Sequence, residues 1–126
     1  VVWRGGLAGR IITVTETTAR ILPITSTGSA VNVILQGEFN DVDGVLTSRP
    51  DGTLLMTDIL ENESIEPGQF VITSGLGSTF PKGILVGQII NVRRPASSVL
   101  QEADVRPFVQ PDALDTVQII KAFDND

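Results

Sequence analysis

Val42-Asp43-Gly44-Val45-Leu46-Thr47-Ser48-Arg49-Pro50-Asp51-Gly52-Thr53-Leu54-Leu55-Met56-Thr57-Asp58-Ile59 reads as two strands folded back on each other. Val42 to Thr47 and Thr53 to Ile59 carry the β-branched and apolar residues that suit a pleated, half-buried surface. Arg49-Pro50-Asp51-Gly52 supplies the punctuation: Pro presets its own φ, and Asp and Gly accept the tight backbone of a hairpin turn. Asp41-Val42-Asp43-Gly44, at the head of the stretch, resembles the opening of a calcium loop. Such a loop needs further oxygen ligands at alternating positions. Val45 breaks that series, so a turn set by Asp and Gly is the expectation there.

Outward from this hairpin the same texture continues. Val, Ile and Thr supply 39 of the 126 residues, and turn residues recur every eight to twelve positions, the spacing of a sandwich or barrel. Leu7 to Thr15 is a strand kinked at Gly9. Arg20 to Thr25 carries Pro23, which places it at an edge or a bulge. Val31 to Gln36 puts Val31, Val33 and Leu35 on one face. Phe70 to Ser74 is short and apolar, and Ile84 to Val92 is interrupted by Gly87. In Leu100 to Phe108, Glu102, Asp104 and Arg106 face one way and Ala103 and Val105 the other; its charged face suggests a managed edge strand. Val117 to Phe123 reads as the last strand, after a single helical turn at Pro111-Asp112-Ala113-Leu114-Asp115 with Pro near its start. Roughly six to nine short strands in so short a chain predict an all-β fold, a small antiparallel barrel closed or nearly closed on itself. One domain over residues 1–126 is expected.

Composition excludes several chemistries. There is no Cys and no His, which removes disulfides, thiolates, Cys- or His-based metal sites and any Ser-His or Cys-His nucleophile. Acidic residues outnumber basic ones 15 to 9, for a formal charge of −6. That balance argues against nucleic acid, which selects clustered Lys and Arg. No apolar run reaches the roughly 18 residues of a membrane span. The opening Val1-Val2-Trp3 reads as a piece cut from a longer protein, which leaves room for anchors or targeting signals outside it. No cofactor is implied.

Each remaining candidate has a structural explanation beside it. Glu61, Glu63 and Glu66 form an acidic cluster before Pro67-Gly68. A glycoside-cleaving carboxylate pair would want a cleft lined by aromatics, and the chain has one Trp and no Tyr; a solvated loop fits better. Ser26-Thr27-Gly28-Ser29 would need Lys82 or Lys121 desolvated as its base, whereas Lys82 sits between Pro81 and Gly83 and is expected in water. Thr73-Ser74-Gly75 and Asp51-Gly52-Thr53 echo aspartic proteases without a usable pair of aspartates. No catalytic residue is assigned.

Gly75-Leu76-Gly77-Ser78-Thr79-Phe80-Pro81-Lys82-Gly83 is the most unusual stretch. A phosphate cradle needs a helix after its glycines, and a strand follows here. Gly75, Gly77 and Gly83 are therefore expected to serve positive φ or close backbone approach. Phe80-Pro81 is either a plug or an exposed contact. A partner-binding tip with Leu76, Phe80 and Pro81 as its apolar anchors stays open.

Around this loop the sequence resembles a known family. Glu66-Pro67-Gly68-Gln69-Phe70-Val71-Ile72-Thr73-Ser74-Gly75-Leu76-Gly77, followed by Phe80-Pro81-Lys82-Gly83-Ile84-Leu85-Val86-Gly87-Gln88-Ile89, is similar to the signature region of the MreC rod shape-determining family. Gly6-Leu7-Ala8-Gly9-Arg10-Ile11 resembles that family's GLVGRV strand, with Ala8 for Val, and Ser29-Ala30-Val31 its SAV segment. The likeness runs from about Val1 to Phe123. It implies a chymotrypsin-like barrel without catalytic residues, from the extracytoplasmic part of a protein anchored by one transmembrane helix and carrying a coiled coil. It implies a periplasmic scaffold of the cell-elongation machinery. The partners implied are the MreB filament system and MreD, the penicillin-binding transpeptidase that builds lateral peptidoglycan, and further copies of itself. A degenerate hydrolase-like barrel that binds peptide or glycan, and an adaptor domain of an envelope transport assembly, are the alternatives.

Overall fold

The computed structural model describes residues 1–3, 6–26, 29–36, 41–51, 53–60, 65–78, 80–94, 99–109 and 119–120. Ten strands follow in order: β1 Val2–Trp3, β2 Gly6–Leu7, β3 Gly9–Val14, β4 Ala19–Pro23, β5 Ala30–Leu35, β6 Val42–Ser48, β7 Leu54–Leu60, β8 Phe70–Thr73, β9 Leu85–Arg93 and β10 Leu100–Pro107. One 3-10 turn, Leu76–Ser78, is the only helical piece among the described residues.

Six strands close a barrel. Around it run β9, β10, β7, β6, β5 and β8, and β8 pairs back onto β9. All six junctions are antiparallel. The quoted hairpin is β6–β7, in register Ser48↔Leu54 and Val45↔Thr57. Its turn is tied by Arg49 N donating to Thr53 O at 2.8 Å. The Asp51 carboxylate accepts from Thr53 N at 3.0 Å and from Thr53 Oγ1 at 2.7 Å, the self-bonding that favours Asp in turns. Closure leaves no free edge on the barrel, which removes the template for unwanted strand pairing.

Alternation along the strands fills the interior. Val31, Val33, Leu35, Leu46, Leu54, Met56, Val71, Ile89 and Val105 are all buried, each such side chain contributing on the order of 1.5–3 kcal/mol by leaving water. Strict alternation would turn Ile59 outward, three residues after Met56. A bulge corrects this: Ala103 pairs with Met56 but Gln101 with Ile59. The extra residue is accommodated where Asp58 adopts φ 64°, a left-handed conformation that Asp tolerates better than most side chains. Met56 and Ile59 thus both reach the core. A second bulge lies in β9, between the pairs Asp104↔Asn91 and Val105↔Ile89; it turns Ile90 outward, 51% exposed. At Gly87 a Cβ would stand 2.3 Å from the Arg106 carbonyl oxygen, so β9 and β10 meet closely only because that side chain is absent.

Outside the barrel, β1 pairs with β2, and β2 adds in parallel to β9 through Gly6↔Leu85. β3 and β4 form a separate two-stranded arm. Pro23 sits at its base opposite Gly9, the edge position expected of a strand proline.

Four expectations are corrected. β10 is not an edge: it lies between β7 and β9, and its charged face is neutralised by neighbours rather than left to repel them. Asp43 and Gly44 are not in a turn; both lie inside β6, where Gly44 leaves room for the Met56 side chain. The predicted single strand from Leu7 is two, because the chain breaks at Ala8 between β2 and β3. Of the predicted strand Val117 to Phe123, Ile119 and Ile120 are described and are not in a strand. The rest of it, and the turn at 111–115, lie outside the described residues.

Candidate functional site

The glycine-rich loop leaves β8 at Thr73 and returns to β9, and buried Thr73 holds both of its ends. Thr73 Oγ1 donates to Pro81 O at 2.6 Å and accepts from Ile84 N at 2.9 Å. Its backbone N donates to Ile84 O, and its carbonyl accepts from Gly83 N, each at 2.9 Å. Asn32 on β5 pins the far side, its Nδ2 donating to Leu76 O at 3.1 Å. Gly75, Gly77 and Gly83 have φ of 81°, 78° and 91°, angles that side-chain-bearing residues rarely adopt. The loop is a closed structural element.

Its aromatic residue points inward. Phe80 is buried, 7% exposed, and joins the main core, so the expectation of an exposed anchor at Phe80 is corrected: it is the plug. Once Thr73 draws the Pro81 carbonyl down onto the strand ends, the ring beside it has only the core to fill. Pro81 is half-buried. Leu76 is exposed at 61%. Lys82 is exposed on the turn, not desolvated as a catalytic base would have to be. Ser29 is buried; Thr27 and Gly28 lie outside the described residues, as do Gly52, Glu61 and Glu63. Glu66 is exposed. Among the described residues no group of three acidic side chains converges as a metal site would.

The outer face of β8, β9 and β10 carries what the sequence reading missed. Phe70 pairs with Gln88, and Gln88 pairs with Arg106, so the three lie in a row across adjacent strands. Arg106 Nη2 donates to Gln88 Oε1 at 3.2 Å. Phe108 follows two positions beyond Arg106. Phe70 is 51% and Phe108 47% exposed. Together with Leu85 and Pro107 they border an open groove of about 320 Å³. Parity held the signal: Phe108 continues the outward series Glu102, Asp104, Arg106.

Further along the same face is a charge cluster. Arg93 clamps Asp104 through Nη1 at 2.5 Å and Nη2 at 3.0 Å, and its Nε donates to Glu102 at 3.0 Å. Arg49, at the start of the β6–β7 turn, donates to Asp104 at 2.6 Å. The hydrogen bonds from Arg93 first, and then from Arg49, hold the Asp104 carboxyl well below the usual carboxylate range, against the opposing effect of burial. Arg93 is correspondingly held above the ordinary guanidinium range by Asp104 and then Glu102. The cluster ties a hairpin turn, β9 and β10 into one wall. Near the same end, buried Gln101 donates to Leu60 O and accepts from Arg94 Nε, both at 2.8 Å.

Fold and surface together define a small closed antiparallel barrel whose distinguishing features are a sealed glycine-rich loop and an open aromatic face. Residues 1–121 match the family described as rod shape-determining protein MreC, barrel core; the chain belongs to the MreC family. It is 29% identical over 120 residues to the cell shape-determining protein MreC of Listeria monocytogenes, covering 92% of this chain and 40% of that protein. It is 36% identical over 84 residues to the counterpart of Cereibacter sphaeroides, covering 67% of this chain and 27% of that one. The chain thus spans less than half the length of these relatives. Among solved structures, MreC of Listeria monocytogenes superposes with a TM-score of 0.78 at 26% identity, over 86% of this chain and 53% of that one. The fold is shared with the major periplasmic domain of the cell shape-determining filament MreC, TM-score 0.73 at 22% identity, over 86% of this chain and 67% of that one. It is shared too with MreC of Helicobacter pylori in its complex with the penicillin-binding protein PBP2, TM-score 0.71 at 20% identity, over 86% and 66%.

Proposed function

We propose that the chain is the barrel of an extracytoplasmic, non-enzymatic scaffold that helps set cell shape by holding a peptidoglycan-synthesising transpeptidase in the elongation machinery. The observation that carries this reading is the family match over residues 1–121; the relative solved in complex with a penicillin-binding protein supplies the class of partner. The architecture suits the role. A closed barrel with a core-anchored loop offers a rigid body, and rigid bodies lose little conformational entropy on docking. Membrane anchoring and linkage to MreB and MreD belong, in this reading, to the longer protein. Self-association of the kind named for the filament-forming relative is a further part of the proposal.

The test is a titration of the chain against the extracytoplasmic part of the cognate penicillin-binding transpeptidase, with sedimentation of the chain alone in parallel. Saturable binding is the expected result. A folded chain that shows no binding at any concentration would remove this barrel from the partner interface.

A further inference from the structure

We infer that the outer face of β8, β9 and β10, at Phe70, Arg106 and Phe108, is the surface on which a partner protein docks a segment presenting an apolar side chain beside a carboxylate. The inference rests on the scaffold reading and goes beyond it by placing the contact and stating the chemistry of what fills it.

Closure decides the mode of contact. Each of these three strands is already paired on both sides, so a partner cannot extend the sheet with main-chain hydrogen bonds. Recognition there has to run through side chains. Single exposed apolar residues are ordinary on any protein surface. Here two phenylalanines, each about half exposed, line one groove together with Leu85 and Pro107. Aromatic residues and Arg are the types enriched at interface cores and among the residues that dominate binding.

Charge selects the other half of the ligand. Arg93, on the neighbouring strand, has Glu102 and Asp104 as its carboxylates. Arg106 pairs with no carboxylate among the described residues; its hydrogen-bonded neighbour is neutral Gln88. A guanidinium lining a groove beside exposed aromatic rings is complemented by an acidic group from outside. A chain of net charge −6 is poorly suited to an anionic lipid surface, which attracts clustered basic residues. A foreign protein segment is therefore the occupant the face fits.

The experiment compares the chain with three variants in the titration against the cognate transpeptidase, after circular dichroism has shown each variant folded. Phe70→Ser and Arg106→Glu are expected to weaken binding by more than about tenfold each. Leu76→Ser, on the exposed part of the glycine-rich loop, is expected to change it by less than about twofold. Equal binding by all variants would overturn this surface and leave the transpeptidase partnership standing. Absence of binding by the unaltered chain would overturn both. Sedimentation showing a dimer that Phe70→Ser dissolves would give the groove to a second copy. Co-sedimentation with phosphatidylglycerol vesicles that Arg106→Glu abolishes would give it to a membrane. Either of these last results would overturn the inference.

Discussion

The barrel and the β3–β4 arm are written in the same residue types and have opposite fates. Strand β5, Ala30–Leu35, buries Val31, Val33, Ile34 and Leu35. Strand β3, Gly9–Val14, is just as rich in Ile, Val and Thr, yet leaves Ile12 at 45% and Val14 at 70% exposure. The arm is closed at its tip by Thr15 and Thr18, whose hydroxyls meet at 2.6 Å, and its strands pair only with each other among the described residues. β-Branched residues therefore specify extension in both places. Only ring closure, which brings six strands around one interior, converts extension into burial. A lone two-stranded hairpin is marginal in water, so the arm depends on its base at Gly9 and Pro23 and the barrel does not depend on the arm.

The strongest way to break this contrast is to truncate one residue type in both regions. Ile59 is fully buried by the Asp58 bulge, and Ile59→Ala should cost about 3 kcal/mol, read as a lowered urea midpoint with an unchanged slope. A loss under about 1 kcal/mol would mean that the bulge does not hold Ile59 in the core. Next in size is Thr73→Val. It keeps the shape but leaves the Pro81 carbonyl and the Ile84 amide without their hydroxyl partner, at about 2 kcal/mol. The same variant should raise amide exchange along residues 74–83. If exchange there is unmoved, the loop is held by something other than Thr73.

The quoted hairpin was readable because its turn chemistry and its alternation agree, and closure followed from strand number. What escaped reading was whatever depends on a third strand. The bulge at Asp58 is defined by a register slip against β10 and has no local mark. Arg49 looks like a turn residue, and only the folding of β10 alongside brings Asp104 to it. Phe80 was weighed between plug and anchor because local sequence says nothing of where a loop's carbonyls are tied. Phe108 is the instructive case: parity along β10 puts it in line with Glu102, Asp104 and Arg106, but local sequence does not say that Phe70 on β8 lines the same groove.

Asp104 sits in the charged wall that the arm lacks. Asp104 has a depressed carboxyl pKa in the folded state, so its contribution is fully present above the unfolded value of about 3.9 and is lost as pH falls from there through the lower folded value. Urea midpoints should decline below about pH 4 for this reason among others, and Asp104→Asn should flatten that decline while costing about 1 kcal/mol at neutral pH, since the cluster is partly open to solvent. A variant with the unaltered acid profile would show that the two arginines do not act through this carboxylate.

The smallest expected effect is on the arm, and it is the one that separates its two possible natures. Ile12→Ala removes the same atoms as Ile59→Ala, but from a side chain 45% exposed at the slip between Ile11↔Ile21 and Thr13↔Arg20. With no interior to vacate, the change in the urea midpoint should correspond to about 0.5 kcal/mol or less. Arm amides should also exchange much faster than those of β5, because opening the arm exposes little apolar surface and needs no opening of the barrel. A loss comparable to that of Ile59→Ala would mean that the arm packs against something when the chain is in solution, and the exposed faces of Ile12, Val14 and Ile21 would then have to be counted as part of a core rather than as strand without one.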